Sequence, residues 1–389
     1  MREVAIIGTG ITEFGELWDS SFRDIGIEAG LKAIQDAKIT GDDIDALYVG
    51  NMSAGKFIEQ EHVSALMADY SGLSKNHVPA IRIEAAGACG AAAVAQAYLA
   101  VASGLYDIVV VGGAEKMTDV SDAQVASILS ATADQEWESV FGVTYTGLFA
   151  MMARRHMHVY KTTREQLAHV AVKNHRHGSL NPIAQYRKEI TLDTVLKAPE
   201  VSSPLGLFDC APLSDGAAAL VLCPFEMSRR FTDTPVKIVG SGMATDTLAL
   251  HDRRDICTMD ATVIAGKRAL HQAKKTPKDI DVAEVHDNFT ITEIIAIEDL
   301  RLVPKGEGGA VTEEGLTQVG GKIPVNTSGG LKARGNPLGA TGVAQVVEIV
   351  HQLRGDGGKR QVSGADVGLT HGIGGTGATA IVHVLERGD

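Results

Sequence analysis

The sequence predicts an α/β fold: a duplicated, βαβ-rich core with a loop domain inserted in its first half. Three observations predict it. The chain is 389 residues long, 44% hydrophobic but only 5% aromatic, with 43 glycines, which favours Val/Ala/Ile strands and close-packed helices in more than one core. It contains an internal repeat. Between the repeated halves lies a stretch whose apolar pattern loosens and whose charge changes sign.

Residues 33–49 (AIQDAKITGDDIDALYV) match residues 269–285 (ALHQAKKTPKDIDVAEV) at eight of seventeen positions, at a constant offset of 236. Each copy reads as the end of an amphipathic helix, a polar turn carrying Asp-Ile-Asp, and a strand. The repeat continues where GAAAVAQ, from Gly90, lies against GATGVAQ, from Gly339, and where DIVVV, from Asp107, lies against DVGLT, from Asp366. Alternating strands and helices imply mostly parallel sheets sandwiching helices, with right-handed crossovers. The first core is expected over residues 1–115 plus 213–232, the inserted loop domain over 116–212, and the second core over 233–389.

The formal net charge of −12 argues against nucleic acid or an anionic membrane as partners of the whole surface. The N-terminus runs straight into the strand-like Val4-Ala5-Ile6-Ile7-Gly8, and no run of 18 apolar residues is evident, so a cytoplasmic location is expected. The four cysteines, Cys89, Cys210, Cys223 and Cys257, form no CxxC pair, and no histidines cluster at metal-ligand spacing. Neither a disulfide framework nor a metal site is expected.

Within the insert, residues 151–188 carry eight Lys or Arg against the single acid Glu165. One reading is a solvated helix face. The other is a docking surface for the phosphates of a large anionic cofactor, to which Arg and Lys give charge-assisted hydrogen bonds. The candidate contacts are Arg154, Arg155, Lys173, Arg187 and Lys188, with Ser214 beyond them where regular structure resumes.

The chemistry centres on Cys89, in IEAAGACGAAAVAQ, at the junction of a short strand and a small-residue helix. A helix N-terminus lowers a thiol pKa and offers free N–H groups to an oxyanion, so Cys89 is placed as a nucleophile. The second half supplies three further elements: EVHDNF around His286, GGLKARGNPLGATG around Asn336, and THGIGGTG with His371 and Gly374. On the repeat, His286 falls opposite Gly50 and His371 opposite Gly112, each at the C-terminal end of a strand, where open α/β sheets gather ligands. Two imidazoles at equivalent strand ends are candidates for acid–base work. The glycine run lacks the lysine of a phosphate loop and suits an oxyanion hole better.

Together these elements resemble the thiolase family, from residue 3 to residue 387. Cys89 matches the family nucleophile, His286-Asp287-Asn288-Phe289 is similar to the His-Asp-x-Phe motif of sterol-carrier-protein-type thiolases, and residues 335–342 match Gly-His-Pro-x-Gly-Ala-[Ser/Thr]-Gly except at Asn336. His371-Gly372-Ile373-Gly374-Gly375 occupies the place of the last motif, Cys-x-Gly, as in archaeal-looking thiolases. The resemblance implies an α/β/α/β/α layered fold and the Claisen condensation of two acetyl-CoA into acetoacetyl-CoA through a Cys89 acyl-enzyme.

It implies coenzyme A thioesters as substrates and no permanently bound cofactor. His371 is then the candidate base, His286 polarises the incoming carbonyl, and the N–H groups of Cys89 and Gly374 hold the oxyanion. It implies a homodimer or homotetramer, a role in isoprenoid synthesis, and coupling to hydroxymethylglutaryl-CoA synthase through a small zinc-ribbon/OB-fold protein. Asn336 departs from the family: either His286 or His371 activates Cys89, or the chain is impaired at that step. The alternatives are transfer to a non-CoA acceptor, degradative thiolysis, and a non-catalytic scaffold.

Overall fold

The two halves of the chain lay down matching strands. In the computed structural model, which describes residues 1–388, the strands are β1 (Val4–Ile11), β2 (Ala46–Gly50), β3 (Ala80–Ile83), β4 (Val109–Glu115), β5 (Glu200–Ser202), β6 (Leu205–Gly206), β7 (Gly216–Pro224), β8 (Val236–Thr245), β9 (Val282–Glu284), β10 (Val367–Gly374) and β11 (Thr379–Arg387). The main sheet has the order β3-β2-β4-β7-β1-β8-β11-β10-β9. About its centre the order is mirrored: β1 answers β8, β7 answers β11, β4 answers β10, and β2 answers β9, with β3, β5 and β6 present in the first half alone among the described residues. Within the sheet the halves are joined by the β1–β8 pairing of Ala5 with Lys237 and Ile6 with Val236.

The expectation of mostly parallel sheets is corrected. β2–β3, β2–β4 and β9–β10 are parallel, whereas β4–β7, β7–β1, β1–β8, β8–β11 and β11–β10 are antiparallel. The reason is local: Gly375 and Gly377, both at positive φ, close a short turn that folds β11 straight back on β10, and antiparallel strands are what so short a connection allows.

The duplication is visible hydrogen bond by hydrogen bond. The helices Phe22–Ala37 and Asp260–Ala273 end in left-handed C-caps at Lys38 and Lys274, 236 residues apart. Thr40 with Asp43 and Thr276 with Asp279 form the same capping box. The Asp45 carboxylate accepts the N–H groups of Asp107 and Ile108, and Asp281 accepts those of Asp366 and Val367. Close helix-on-sheet packing repeats as well: a Cβ on Gly8 would fall 2.2 Å from the Ala33 carbonyl oxygen, and one on Gly240 the same distance from that of Ala269.

The helices Phe22–Ala37 and Asp260–Ala273 cover the outer faces, on β1/β7 and β8/β11 respectively. Between the two half-sheets lie Cys89–Ser103 and Leu338–Arg354, which completes five layers. These central helices touch at glycines: a Cβ on Gly342 would meet the Ala91 nitrogen at 2.2 Å. The segment Ala86–Ser103 is in fact long and apolar enough to cross a membrane, with a mean hydropathy of 1.4, yet 78% of it is buried inside the molecule. A central-layer helix has no solvent face and is apolar all round.

Between β4 and β7 the chain adds, among other elements, the helices Tyr145–Tyr160 and Arg164–Ser179 and the β5–β6 ladder. They pack chiefly on the second half, against the wholly buried helix Thr290–Asp299.

Candidate active site

Cys89 opens the first central helix and is fully buried. The loop before it wraps the sulfur: the Ala85 N–H donates to Sγ at 3.2 Å, and the thiol donates to the Ala86 carbonyl at 2.7 Å. Ala86 adopts φ 50° to make this turn, a region that L-residues seldom occupy. Cys89 belongs to one apolar cluster with Met52, Phe57, Met117, Val125, Ile128 and Leu338. The expectation of a lowered thiol pKa is corrected. Burial pushes it well above 9.0, and the Ala85 N–H offsets this only in part, while Glu115 and Glu84 raise it further. The resting residue is a thiol.

Strand alternation separates the two histidines. Thr370 pairs in parallel with Glu284, the last residue of β9, and beyond that pair Gly372 and His371 take opposite faces of β10. A Cβ on Gly372 would touch the Ala91 side chain of the central layer at 3.1 Å. His371 instead bonds the Thr262 hydroxyl of the outer helix at 2.9 Å and shares a face with Leu369 and Ile373, members of the outer apolar core. This corrects the assignment of His371 as base: the helix it addresses is not the one that carries Cys89.

His286 is on the Cys89 side. Its Nε2 would lie 3.3 Å from a Cβ on Gly87, two residues before the nucleophile. Both ring nitrogens are buried without a protein hydrogen-bond partner. Burial, with smaller contributions from His371 and Arg334, depresses its pKa to about 3, so the ring rests neutral.

Asn336 precedes the second central helix. Its backbone N–H donates to Ser214 Oγ at 2.8 Å, and Ser214 donates to Gln185 Oε1 at 2.6 Å. Thr341 donates to Asn336 Oδ1 at 2.9 Å; among the described residues no protein acceptor takes the Nδ2 amide. Ser214, expected as a coenzyme contact, is therefore a buried support for Asn336. Gly374 packs so closely on the Ala85 carbonyl that a Cβ would fall 2.5 Å from its oxygen, which brings the glycine run to the loop over Cys89. An open cavity of about 400 Å³, lined in part by Ala85, Ala86, Gly374 and Gly375, lies at this loop.

The basic residues scatter. Lys173 is corrected outright: it is buried and bonded to Glu293 at 2.5 Å and to the Val325 carbonyl at 3.1 Å, with no reach to a cofactor. Arg154 bonds Ser203 at 3.1 Å, Arg155 is exposed, and Arg187 pairs with Glu13 at 2.8 Å. Arg187 and Lys188 border a common cavity.

Two residues escaped the sequence reading. Glu115, at the end of β4, accepts the N–H groups of Met52, Ser53 and Gly339 and the Asn51 amide, tying the loop after β2 to the Leu338 helix. Its repeat counterpart is Gly374, so a carboxylate facing a glycine across the duplication was the available signal. Tyr145 accepts Asn288 Nδ2 at 2.9 Å and donates to the Gly375 carbonyl at 3.3 Å, clipping the His286 loop to the glycine run; a lone tyrosine in the insert carried no signal. No group of three or more His, Cys, Asp or Glu suited to a metal occurs among the described residues.

A buried cysteine at a helix start and an unpartnered imidazole against the loop before it, contributed by the two duplicated halves, define a cysteine-nucleophile acyl-transfer site. The family model for the thiolase N-terminal domain matches residues 4–226 and that for the thiolase C-terminal domain-like region matches residues 242–387. The chain belongs to the thiolase family. It is 58% identical over 387 residues to an acetyl-CoA acetyltransferase of Methanothermobacter thermautotrophicus, with 100% of each chain covered. It is 47% identical to the acetyl-CoA acetyltransferase of Methanocaldococcus jannaschii, with 99% of each covered. Among solved structures it is similar to the Ltp2-ChsH2(DUF35) aldolase, with a TM-score of 0.85 at 28% identity, covering 99% of this chain and 97% of that one.

Proposed function

We propose that the chain is an acetyl-CoA C-acetyltransferase that condenses two acetyl-CoA into acetoacetyl-CoA, with His286 as its proton shuttle. The observation that carries this reading is the free, neutral imidazole of His286 against Gly87, on the side of the buried thiol of Cys89. As acetyl-CoA enters, His286 takes the Cys89 proton and Sγ attacks the thioester carbonyl. The oxyanion is assigned to the Gly374 N–H; the Cys89 N–H, expected to share that task, donates to the Ala86 carbonyl instead. Collapse expels the coenzyme A thiolate, which takes the proton from His286, and leaves acetyl-Cys89. The neutral ring then removes an α-proton from the second acetyl-CoA, whose carbonyl oxygen the Asn336 amide stabilises. The enolate carbon attacks acetyl-Cys89, and the departing Cys89 thiolate recovers its proton from His286.

The similarity to the two archaeal acetyl-CoA acetyltransferases supports the substrate. The same proposal includes a cytoplasmic homodimer or homotetramer in isoprenoid synthesis, coupled to hydroxymethylglutaryl-CoA synthase through a zinc-ribbon/OB-fold protein. Light scattering on the purified chain and co-purification with those partners test that part.

Incubation with labelled acetyl-CoA, followed by mass spectrometry of the Cys89 peptide, tests the acyl-enzyme. A +acetyl adduct is expected, and its absence sinks the reading in favour of a scaffold. Thiolysis of acetoacetyl-CoA against longer 3-oxoacyl-CoA then separates biosynthetic from degradative use.

A further inference from the structure

The two halves differ at one place on their outer faces. In the second half His371 reaches from β10 to the helix Asp260–Ala273 and bonds the Thr262 hydroxyl at 2.9 Å. The repeat sets residues 107–111 against 366–370 and residues 33–49 against 269–285, so the counterparts of His371 and Thr262 are Gly112 and Gly26. The neighbouring strand follows suit. Gly112 pairs with Ala219, whereas His371 pairs with Val382, and Ala114 stands where the second half has Ile373. Each of these first-half residues is smaller than its counterpart.

Side chains this small do not fill the space beneath the Phe22–Ala37 helix. A cavity of about 170 Å³ lies between that helix and the sheet, lined in part by Gly26, Gly30, Met67, Gly112, Ala114 and Ala219. A Cβ on Gly30 would meet nothing within 4 Å, whereas one on its counterpart Gly266 would fall 2.9 Å from Leu300. Protein interiors are otherwise close-packed. Gly112 sits in the middle of the main sheet and is still partly exposed, while His371 is fully buried. Solvent-sized molecules therefore reach the cavity floor, past Leu31, which lines the cavity and is 51% exposed.

Among the described residues no charged side chain lines this space, and the hydroxyl of Ser71, which does, already donates to the Ala68 carbonyl at 3.2 Å. A resident water needs two to four polar partners, and an apolar cavity of about 150 Å³ stays dry and takes benzene.

We infer that this cavity is a binding site for a small uncharged molecule carrying one aromatic ring. The size and shape of the occupant follow from the duplication, because the equivalent place in the second half holds the imidazole ring of His371. Its lack of charge follows from the lining, where an anion or a cation would be buried without a partner. The site faces the outer helix rather than the Cys89 helix and does not rest on the proposed function.

Calorimetric titration of the full chain with benzene, and with benzoate as its charged analogue, tests the site. Benzene is expected to saturate one site per chain, and benzoate to bind at least tenfold more weakly. A Cβ on Gly112 would make only ordinary contacts, at 3.5 Å and 3.9 Å, so Gly112→Leu builds a side chain into the space and should weaken benzene binding at least tenfold. Ala219→Val, which supplies the residue that β11 carries at that place, should weaken it at least threefold, and it decides the matter if Gly112→Leu does not fold. Absence of saturable benzene binding, an affinity equal in wild type and in the variants that fold, or benzoate bound as tightly as benzene overturns the inference.

Discussion

A Cβ placed on Gly87 would stand 3.3 Å from Nε2 of His286 and 2.8 Å from the Ile373 carbonyl oxygen. The imidazole can turn, but the carbonyl belongs to β10 and cannot. Gly87→Ala therefore pushes the loop that wraps Cys89 away from the strand. Overpacking of this kind costs about 1–3 kcal/mol, and it falls on the segment that sets the nucleophile. Turnover is expected to drop at least tenfold with a modest fall in Tm. A variant with wild-type turnover places the site elsewhere.

The two histidines make opposite predictions. His286→Ala removes the imidazole that packs against Gly87 in the loop before Cys89, and acetoacetyl-CoA formation should fall about 10²–10⁴-fold, the range for loss of a general base. His371→Asn keeps a hydrogen-bonding group for Thr262 on the outer face. Its turnover should stay within about threefold of wild type while stability drops. Steady-state kinetics paired with urea unfolding read both, and a reversed pattern restores His371 as the base.

That distinction shows what was legible in the sequence. The repeat between residues 33–49 and 269–285 gave the layered, duplicated core, since matching capping boxes and Asp-Ile-Asp turns are local and leave a local signature. Cys89 was legible because a helix start with small neighbours is a local fact too. The facing of His371 was not: it depends on the pairing of β10 with β9, and one residue of register exchanges inner and outer faces. Lys173 failed similarly, since Glu293, its partner, lies 120 residues away. Ser214 and Gln185 support Asn336 through contacts made only once the insert has folded onto the second half.

Asn336 tests whether the site is complete without a family histidine. Its backbone N–H is held by Ser214 and its side-chain Oδ1 by Thr341 rather than left loose, as expected of a donor with a task. Asn336→Ala should lower kcat, and Asn336→His should change it by less than about tenfold, equivalent to about 1.4 kcal/mol of barrier. A rise of tenfold or more in Asn336→His means that the imidazole missing there limits the enzyme, and the shuttle assigned to His286 fails.

Alkylation of Cys89 by iodoacetamide should be slow at neutral pH. Burial disfavours the thiolate, so its pKa lies well above 9.0, and thiolate, the reactive form, rises with pH without a plateau below pH 9. Rates between pH 6 and 10, read on the Cys89 peptide, check this. A plateau near neutrality would reveal a thiolate already formed in the resting enzyme.

His383 gives a stability test that leaves the chemistry untouched. It is fully buried on β11, its Nε2 lies 3.1 Å from the Ala91 carbonyl of the Cys89 helix, and burial lowers its pKa from 6.5 to about 4. The unfolded chain binds a proton at this residue as pH falls below 6.5, while the folded chain stays neutral until near pH 4. Folding therefore loses stability over that window, by about 2 kcal/mol at pH 5. His383→Gln keeps a donor for Ala91 but does not titrate. The variant should be less stable than wild type at pH 7, through poorer packing, and that deficit should shrink by about 2 kcal/mol or reverse at pH 5. Urea unfolding of both proteins at the two pH values measures it; a deficit independent of pH would mean that His383 is already protonated in the fold or hydrated there.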